Sequence, residues 1–146
     1  DKQGELHQYP AEAFDVRYRH VSLPENQWFV AAKMQFEHGD SDAELELIRE
    51  LLKKRNTSQP TNQPCAGSVF RNPPGDFSGR LIEASGLKGL TVGGASVSDK
   101  HANFIVNNGE ATAADIETLI ADVQQRVELE HGVKLIPEVH IIGEQL

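Results

Sequence analysis

The chain has 146 residues, 38% of them hydrophobic, which suffices for the core of one ordinary domain. A formal net charge of −8 and a pI of about 5.2 speak against a nucleic-acid or anionic-membrane face, both of which need a basic surface. The single cysteine, Cys65, leaves no internal disulfide and no cysteine-based zinc site, and it suits a reducing cytoplasm.

Residues 1–26 are turn-rich, with Gly4, Pro10 and Pro24. The start at Asp1 carries neither the basic nor the apolar region of a signal peptide, and the chain is expected to be part of a longer protein. Trp28, Val30, Ala32, Met34 and Phe36 alternate at period two, which predicts a strand over 26–39. Its apolar run is far short of the roughly 20 residues that span a bilayer. Ser41 with Glu44 three residues on predicts a capping box and an amphipathic helix over 42–55. Leu45, Ile48 and Leu52 lie on one face of that helix, with Leu47 and Leu51 beside them.

Residues 55–79, "RNTSQPTNQPCAGSVFRNPPGDFSG", are rich in Pro, Asn, Ser and Gly; a loop that long inside a compact domain is commonly functional. "SGRLIEASG" predicts a short helix closed by Gly86. Turns and short β-like runs follow, the clearest being "NFIVN". Thr112 and Asp115 form a second helix start, Ile116, Leu119, Ile120, Val123 and Val127 make an apolar stripe, and Gly132 ends it. "EVHII" predicts a last strand. Helices that interrupt short strands without a strict βαβ rhythm indicate an α+β fold, a short mixed or antiparallel sheet with flanking helices.

Several chemistries lack their pattern. Ser68 sits in Ala-Gly-Ser-Val-Phe, without the second glycine of a nucleophile elbow, so a turn role competes with a chemical one. No phosphate-loop or dinucleotide fingerprint is present, and "GLKGLTVGG" reads as closely packed turns. The six histidines fall in no metal-binding spacing, and no metal is expected. Arg17 and Arg19 beside Tyr18, together with Arg55 and Arg71, are the available anion contacts. The Lys53-Lys54-Arg55 run also suits a helix C-terminus electrostatically. Glu138, entering "VHII", is either an exposed edge residue or a deliberately placed acid.

"CAGSVFRNPPGDFSGRLIEASGLKG", "GGASVSDKHANFIVNNG" and "GVKLIPEVHIIGE", with "YRH" and "RNTSQPTNQP", closely resemble the C-terminal half of the UDP-N-acetylenolpyruvoylglucosamine reductase (MurB) family. The resemblance implies a bacterial cytoplasmic flavoenzyme of peptidoglycan synthesis. In that family NADPH reduces FAD, and the enolpyruvyl group of UDP-N-acetylglucosamine enolpyruvate is reduced to UDP-N-acetylmuramate. It implies residues 1–40 as the end of a second FAD-binding domain, 41–139 as a substrate-binding domain and 140–146 as a terminal segment. The N-terminal FAD-binding domain, with most cofactor contacts, would then lie outside this chain, which alone is expected to be inactive. Position by position, the resemblance makes Ser68 the general acid, with Glu138 and Arg19 stabilising the developing enolate. Arg55, Asn72, Tyr18, His101 and Asn103 become substrate-binding positions. Val21 and Cys65 depart from the usual family residues, which touches fine positioning only. A monomer without nucleic-acid or membrane partners is expected. The alternative is a stand-alone nucleotide-sugar binding module without redox activity; in a third reading the domain is purely structural and Ser68 caps a turn.

Overall fold

The computed structural model describes residues 1–143 and divides the chain into two compact units, Asp1–Gly39 and Asp40–Leu146. In the first, a 3-10 turn at Ala11–Ala13 precedes a hairpin of β1 (Val16–Arg17) and β2 (His20–Val21). Phe14 sits edge-on between Tyr9 and Phe29, with centroid distances of 5.8 and 5.2 Å. The strand expected over 26–39 does not form, and Trp28, Val30, Met34 and Phe36 are exposed. A period-two apolar pattern becomes a strand only when a neighbour takes its backbone bonds and a layer covers its apolar face. Among the described residues of this unit the only strands are β1 and β2, which pair with each other.

The second unit begins with α1 (Ser41–Ser58). Its cap is Asp40, one residue before the expected Ser41: the Asp40 carboxylate accepts from the Asp42 and Ala43 N–H groups at 3.0 and 3.3 Å. An ionised oxygen is the stronger acceptor there and also meets the positive end of the helix dipole. The helix overruns residue 55, and in its last turn the Thr57 and Ser58 hydroxyls donate back to the Lys54 carbonyl. None of its residues is buried.

The core is an antiparallel sheet of β3 (Cys65–Ser68), β4 (Thr91–Val92), β5 (Ala95–Val97) and β6 (Phe104–Asn107), in the order β3-β6-β5-β4. Two helices pack with it, α2 (Ser78–Ala84) and α3 (Ala113–His131). The α3 capping box forms as expected, with Thr112 and Asp115 bonded reciprocally, and Gly132 closes the helix at φ 67°. Leu119, Ile120, Val123 and Val127 are buried among Leu81, Ile82, Ala95 and Val97. Each side chain buried in this way stabilises the fold by about 1.5–3 kcal/mol. The fold is therefore α+β, with an antiparallel sheet.

Two turn features locate the site. The glycine-rich stretch is close-packed: a Cβ at Gly94 would fall 2.3 Å from the Ala111 nitrogen, and one at Gly93 2.4 Å from the Asp115 carboxylate. The expected strand at 138–142 reduces to one bridge, Phe70 to Pro137. The Arg71 N–H donates to Ile136 O at 2.9 Å and the Glu138 N–H to Val69 O at 2.7 Å. Pro137 sits in the non-hydrogen-bonded pair between these two bonds, and the chain bends at Val139, so the ladder goes no further. No helix among the described residues is long and apolar enough to cross a membrane.

Candidate active site

Ser68 ends β3 on a bulge. Cys65 pairs with Val106 and Ser68 with Phe104, so three steps on β3 oppose two on β6. The extra residue is taken up beside Gly67, whose φ of +85° lies in the left-handed region that favours glycine. Bulges re-aim the side chain that follows them, and Ser68 lines a cavity of about 440 Å³. Immediately after it the chain is clamped. The Val69 N–H donates to Asn103 O at 2.9 Å, and the Asn103 side-chain amide then takes both backbone groups of Phe70. Its Oδ1 accepts from the Phe70 N–H at 2.9 Å, and its Nδ2 donates to Phe70 O at 2.8 Å. Asn103 is 4% exposed, so these buried backbone groups have little access to water as a substitute partner.

Asn72, Phe77, Gly79, Arg80 and Glu83 also line the cavity, as do Lys100, His101, Ala102 and Asn103 from the β5–β6 turn. The Asn72 Oδ1 accepts from the Ser78 N–H at 3.1 Å, which caps α2 from the preceding loop. Ser78, fully buried, donates its hydroxyl to Arg71 O. The first turn of α2 presses on His101: a Cβ at Gly79 would lie 3.1 Å from its Cε1. The His101 ring stands edge-on to Phe104 at 4.9 Å, and its Nδ1 accepts from the Asn103 N–H at 3.2 Å. With Nδ1 an acceptor, the neutral ring carries its proton on Nε2.

Burial first, then the Lys88 charge, hold the His101 pKa below its ordinary 6.5. A folded value below the unfolded one means that this group's stability contribution is full above pH 6.5 and declines as pH falls toward the folded value. An NMR titration of the His101 ring should therefore have its midpoint below 6.5. A midpoint above it would show a charged ring at the cavity and remove Nδ1 as an acceptor.

The charges around the cavity are largely paired. Asp76 accepts from Arg80 through both carboxylate oxygens, Nε to Oδ1 at 2.7 Å and Nη2 to Oδ2. The Arg80 hydrogen bond, aided by the Phe77 N–H, lowers the Asp76 pKa to about 2. Lys88 donates to Glu83 at 2.7 Å. Lys100 donates to Asn56 O, near the end of α1, at 3.0 Å. Arg80 and Lys100 were not among the sequence candidates, although Asp76 and Arg80 stand at the i,i+4 spacing of a helical ion pair.

Of the residues expected in the site, Ser68, Asn72, His101 and Asn103 line one cavity. Glu138 is half-buried, its Oε2 is a buried side-chain oxygen, and its backbone bond to Val69 sets it one residue from Ser68 across the Phe70–Pro137 bridge. Arg55 is in the last turn of α1, where its Nε donates to Gln59 at 3.2 Å. Tyr18 and Arg19 belong to the first unit and form the turn between β1 and β2. Arg19 has φ 57°, which a non-glycine residue rarely adopts, and its guanidinium lies 5.7 Å from the centre of the Tyr18 ring. In the same unit Asp1, Glu5 and His7 place potential metal-binding atoms within 4.8 Å of one another, an exposed arrangement common without any ion.

The family model of the UDP-N-acetylenolpyruvoylglucosamine reductase C-terminal domain matches residues 59–142, the stretch that carries Ser68, the cavity and Glu138. The chain belongs to the MurB family. A MurB relative from Methylococcus capsulatus, named UDP-N-acetylenolpyruvoylglucosamine reductase, is 65% identical over 133 residues, which is 91% of this chain and 44% of the relative. A second of the same name, from Alkalilimnicola ehrlichii, is 56% identical over 144 residues, 99% of this chain and 48% of the relative. The crystal structure of MurB from Thermus caldophilus superposes with a TM-score of 0.78 at 36% identity, covering 92% of this chain and 47% of that one. This chain thus spans a little under half the length of these MurB relatives.

Proposed function

We propose that the full-length protein is a UDP-N-acetylenolpyruvoylglucosamine reductase and that this chain supplies its substrate-binding and proton-donor part. The carrying observation is Ser68 on a glycine-dependent bulge, lining a cavity with Asn72 and His101 inside the family-matched stretch. The glycine-rich stretch is close-packed against Ala111 and Asp115, which supports placing most flavin contacts elsewhere. We therefore assign FAD to the part of the protein outside this chain, and residues 1–40 to the end of its second FAD-binding domain. The division after Gly39 supports that boundary and leaves 41–139 as the substrate-binding domain, with 140–146 as a terminal segment of which 144–146 lie outside the described residues. When bound, FAD supplies hydride drawn from NADPH.

The chain's own residues handle charge and the proton. Addition of hydride at C3 of the enolpyruvyl group leaves carbanion character at C2, next to a carboxylate. The Ser68 hydroxyl gives its proton to C2, and the resulting alkoxide regains one from solvent. Arg19 supplies positive charge to the enolate form and Glu138, as the neutral acid, would donate its O–H to it, an electrostatic role that acts most strongly in the transition state. The left-handed backbone of Arg19 supports a functional assignment, since such strain costs on the order of 1–3 kcal/mol and persists where it serves a site. Asn72, His101, Arg55 and Tyr18 contact the sugar nucleotide. Asn103, whose amide is committed to Phe70, acts as a positioning residue behind Ser68. The product would enter peptidoglycan synthesis in the bacterial cytoplasm, and the enzyme would work as a monomer.

Full-length protein should carry flavin and turn over NADPH beyond one equivalent only when UDP-N-acetylglucosamine enolpyruvate is present. Protein that binds the sugar nucleotide but never oxidises NADPH would instead be a nucleotide-sugar binding module.

A further inference from the structure

Arg80 stands at the cavity in an unusual state of commitment. A guanidinium has five N–H donors in a fixed planar fork. Asp76 takes the side-on pair, Nε–H and one Nη2–H. That leaves the end-on pair, the Nη1–H groups and the second Nη2–H, and among the described residues Asp76 is the only hydrogen-bond partner of this side chain. Asp76 is itself fixed, since its Oδ1 also accepts from the Phe77 N–H at 2.7 Å. The i,i+4 pair straddles the start of α2, and the adjacent Gly79 is pressed on His101. The pair is only part-exposed on the acidic side, with Asp76 28% and Arg80 56% accessible. A surface ion pair of this kind contributes little to folding, so stability is a poor explanation for its geometry.

Resting on the function proposed above, we infer that Arg80, aimed by Asp76, is the residue that reads the diphosphate of the sugar nucleotide through its end-on fork. The chemistry suits an oxyanion with two adjacent acceptor oxygens, which a guanidinium meets with two parallel bonds and a lysine cannot. The other cation at the cavity, Lys100, already donates to Asn56 O, and Glu83 is neutralised by Lys88. Arg80 is therefore the oriented anion-binding group of this wall. Because Asp76 offsets its charge, recognition is directional more than Coulombic, which favours a ligand with a fixed oxygen geometry over any mobile anion.

The two roles are separable in the full-length enzyme with UDP as a competitive inhibitor against the sugar nucleotide. Arg80→Met should raise the UDP inhibition constant about tenfold to a hundredfold, the range of one or two lost charge-assisted bonds. Its melting temperature and flavin content should match the wild type, and Arg80→Lys should recover little. Asp76→Asn gives the sharper test. Removing a negative charge beside an anion site would tighten UDP binding if only net charge mattered, whereas loss of orientation weakens it; we expect weakening. Unchanged inhibition in Arg80→Met, or tighter inhibition in Asp76→Asn, would overturn the inference and leave the reductase assignment standing. A wild-type enzyme insensitive to UDP would overturn both.

Discussion

Replacing Ser68 with alanine in the full-length enzyme will lower kcat by about a thousandfold, within the usual span of a lost general acid, while KM for the sugar nucleotide changes little. Two features of the structure support that split. Ser68 is delivered to the cavity by backbone, through the Gly67 bulge and the pairing with Phe104, so alanine is accommodated without moving its neighbours. The ground-state contacts proposed for the nucleotide come from other residues, Asn72, His101 and Arg80. An interaction made only while a proton moves is lost from kcat and not from ground-state binding. Steady-state kinetics checks this. A variant that loses only affinity would make Ser68 a binding residue.

Asn103→Leu should cost about 3 kcal/mol of stability in the unit that contains it, from a shape-matched change that strands two backbone groups. The Phe70 N–H and C=O are both bonded to the Asn103 amide, and Phe70 is 2% exposed, so water cannot replace the lost partners. Leucine fills similar volume but offers neither donor nor acceptor. The expected readout is a lower denaturation midpoint for the full-length protein, with reduced activity following from the displaced Ser68 loop. Unchanged stability with a raised KM would make Asn103 a substrate contact instead of a clamp.

How much of this was legible depended on the range over which each feature is determined. The α3 helix was readable because its signals are local: Thr112 and Asp115 sit three residues apart, the stripe repeats within the helix, and Gly132 follows it. The start of α1 missed by one residue because two adjacent side chains could cap it, and the ionised Asp40 prevailed over Ser41. Strands failed where they needed a partner. Residues 26–39 have the alternation of a strand but form none, and 138–142 pair no further than the Glu138 bond before the chain bends at Val139. The site divides in the same way. Ser68 and Glu138 could be named from motifs, yet the bond that brings Glu138 beside Val69 joins residues far apart in the sequence of the second unit. The bulge behind Ser68 depends on register between β3 and β6, which no local pattern encodes. Asp76 and Arg80 are spaced like any surface helix pair, and only the cavity beside them distinguishes them.

Stopped-flow kinetics of the two half-reactions in full-length Ser68→Ala separates proton donation by Ser68 from flavin reduction. NADPH should reduce the bound flavin at the wild-type rate, while reoxidation by UDP-N-acetylglucosamine enolpyruvate slows by about a thousandfold. Reoxidation at the wild-type rate would contradict this and remove Ser68 as the proton donor.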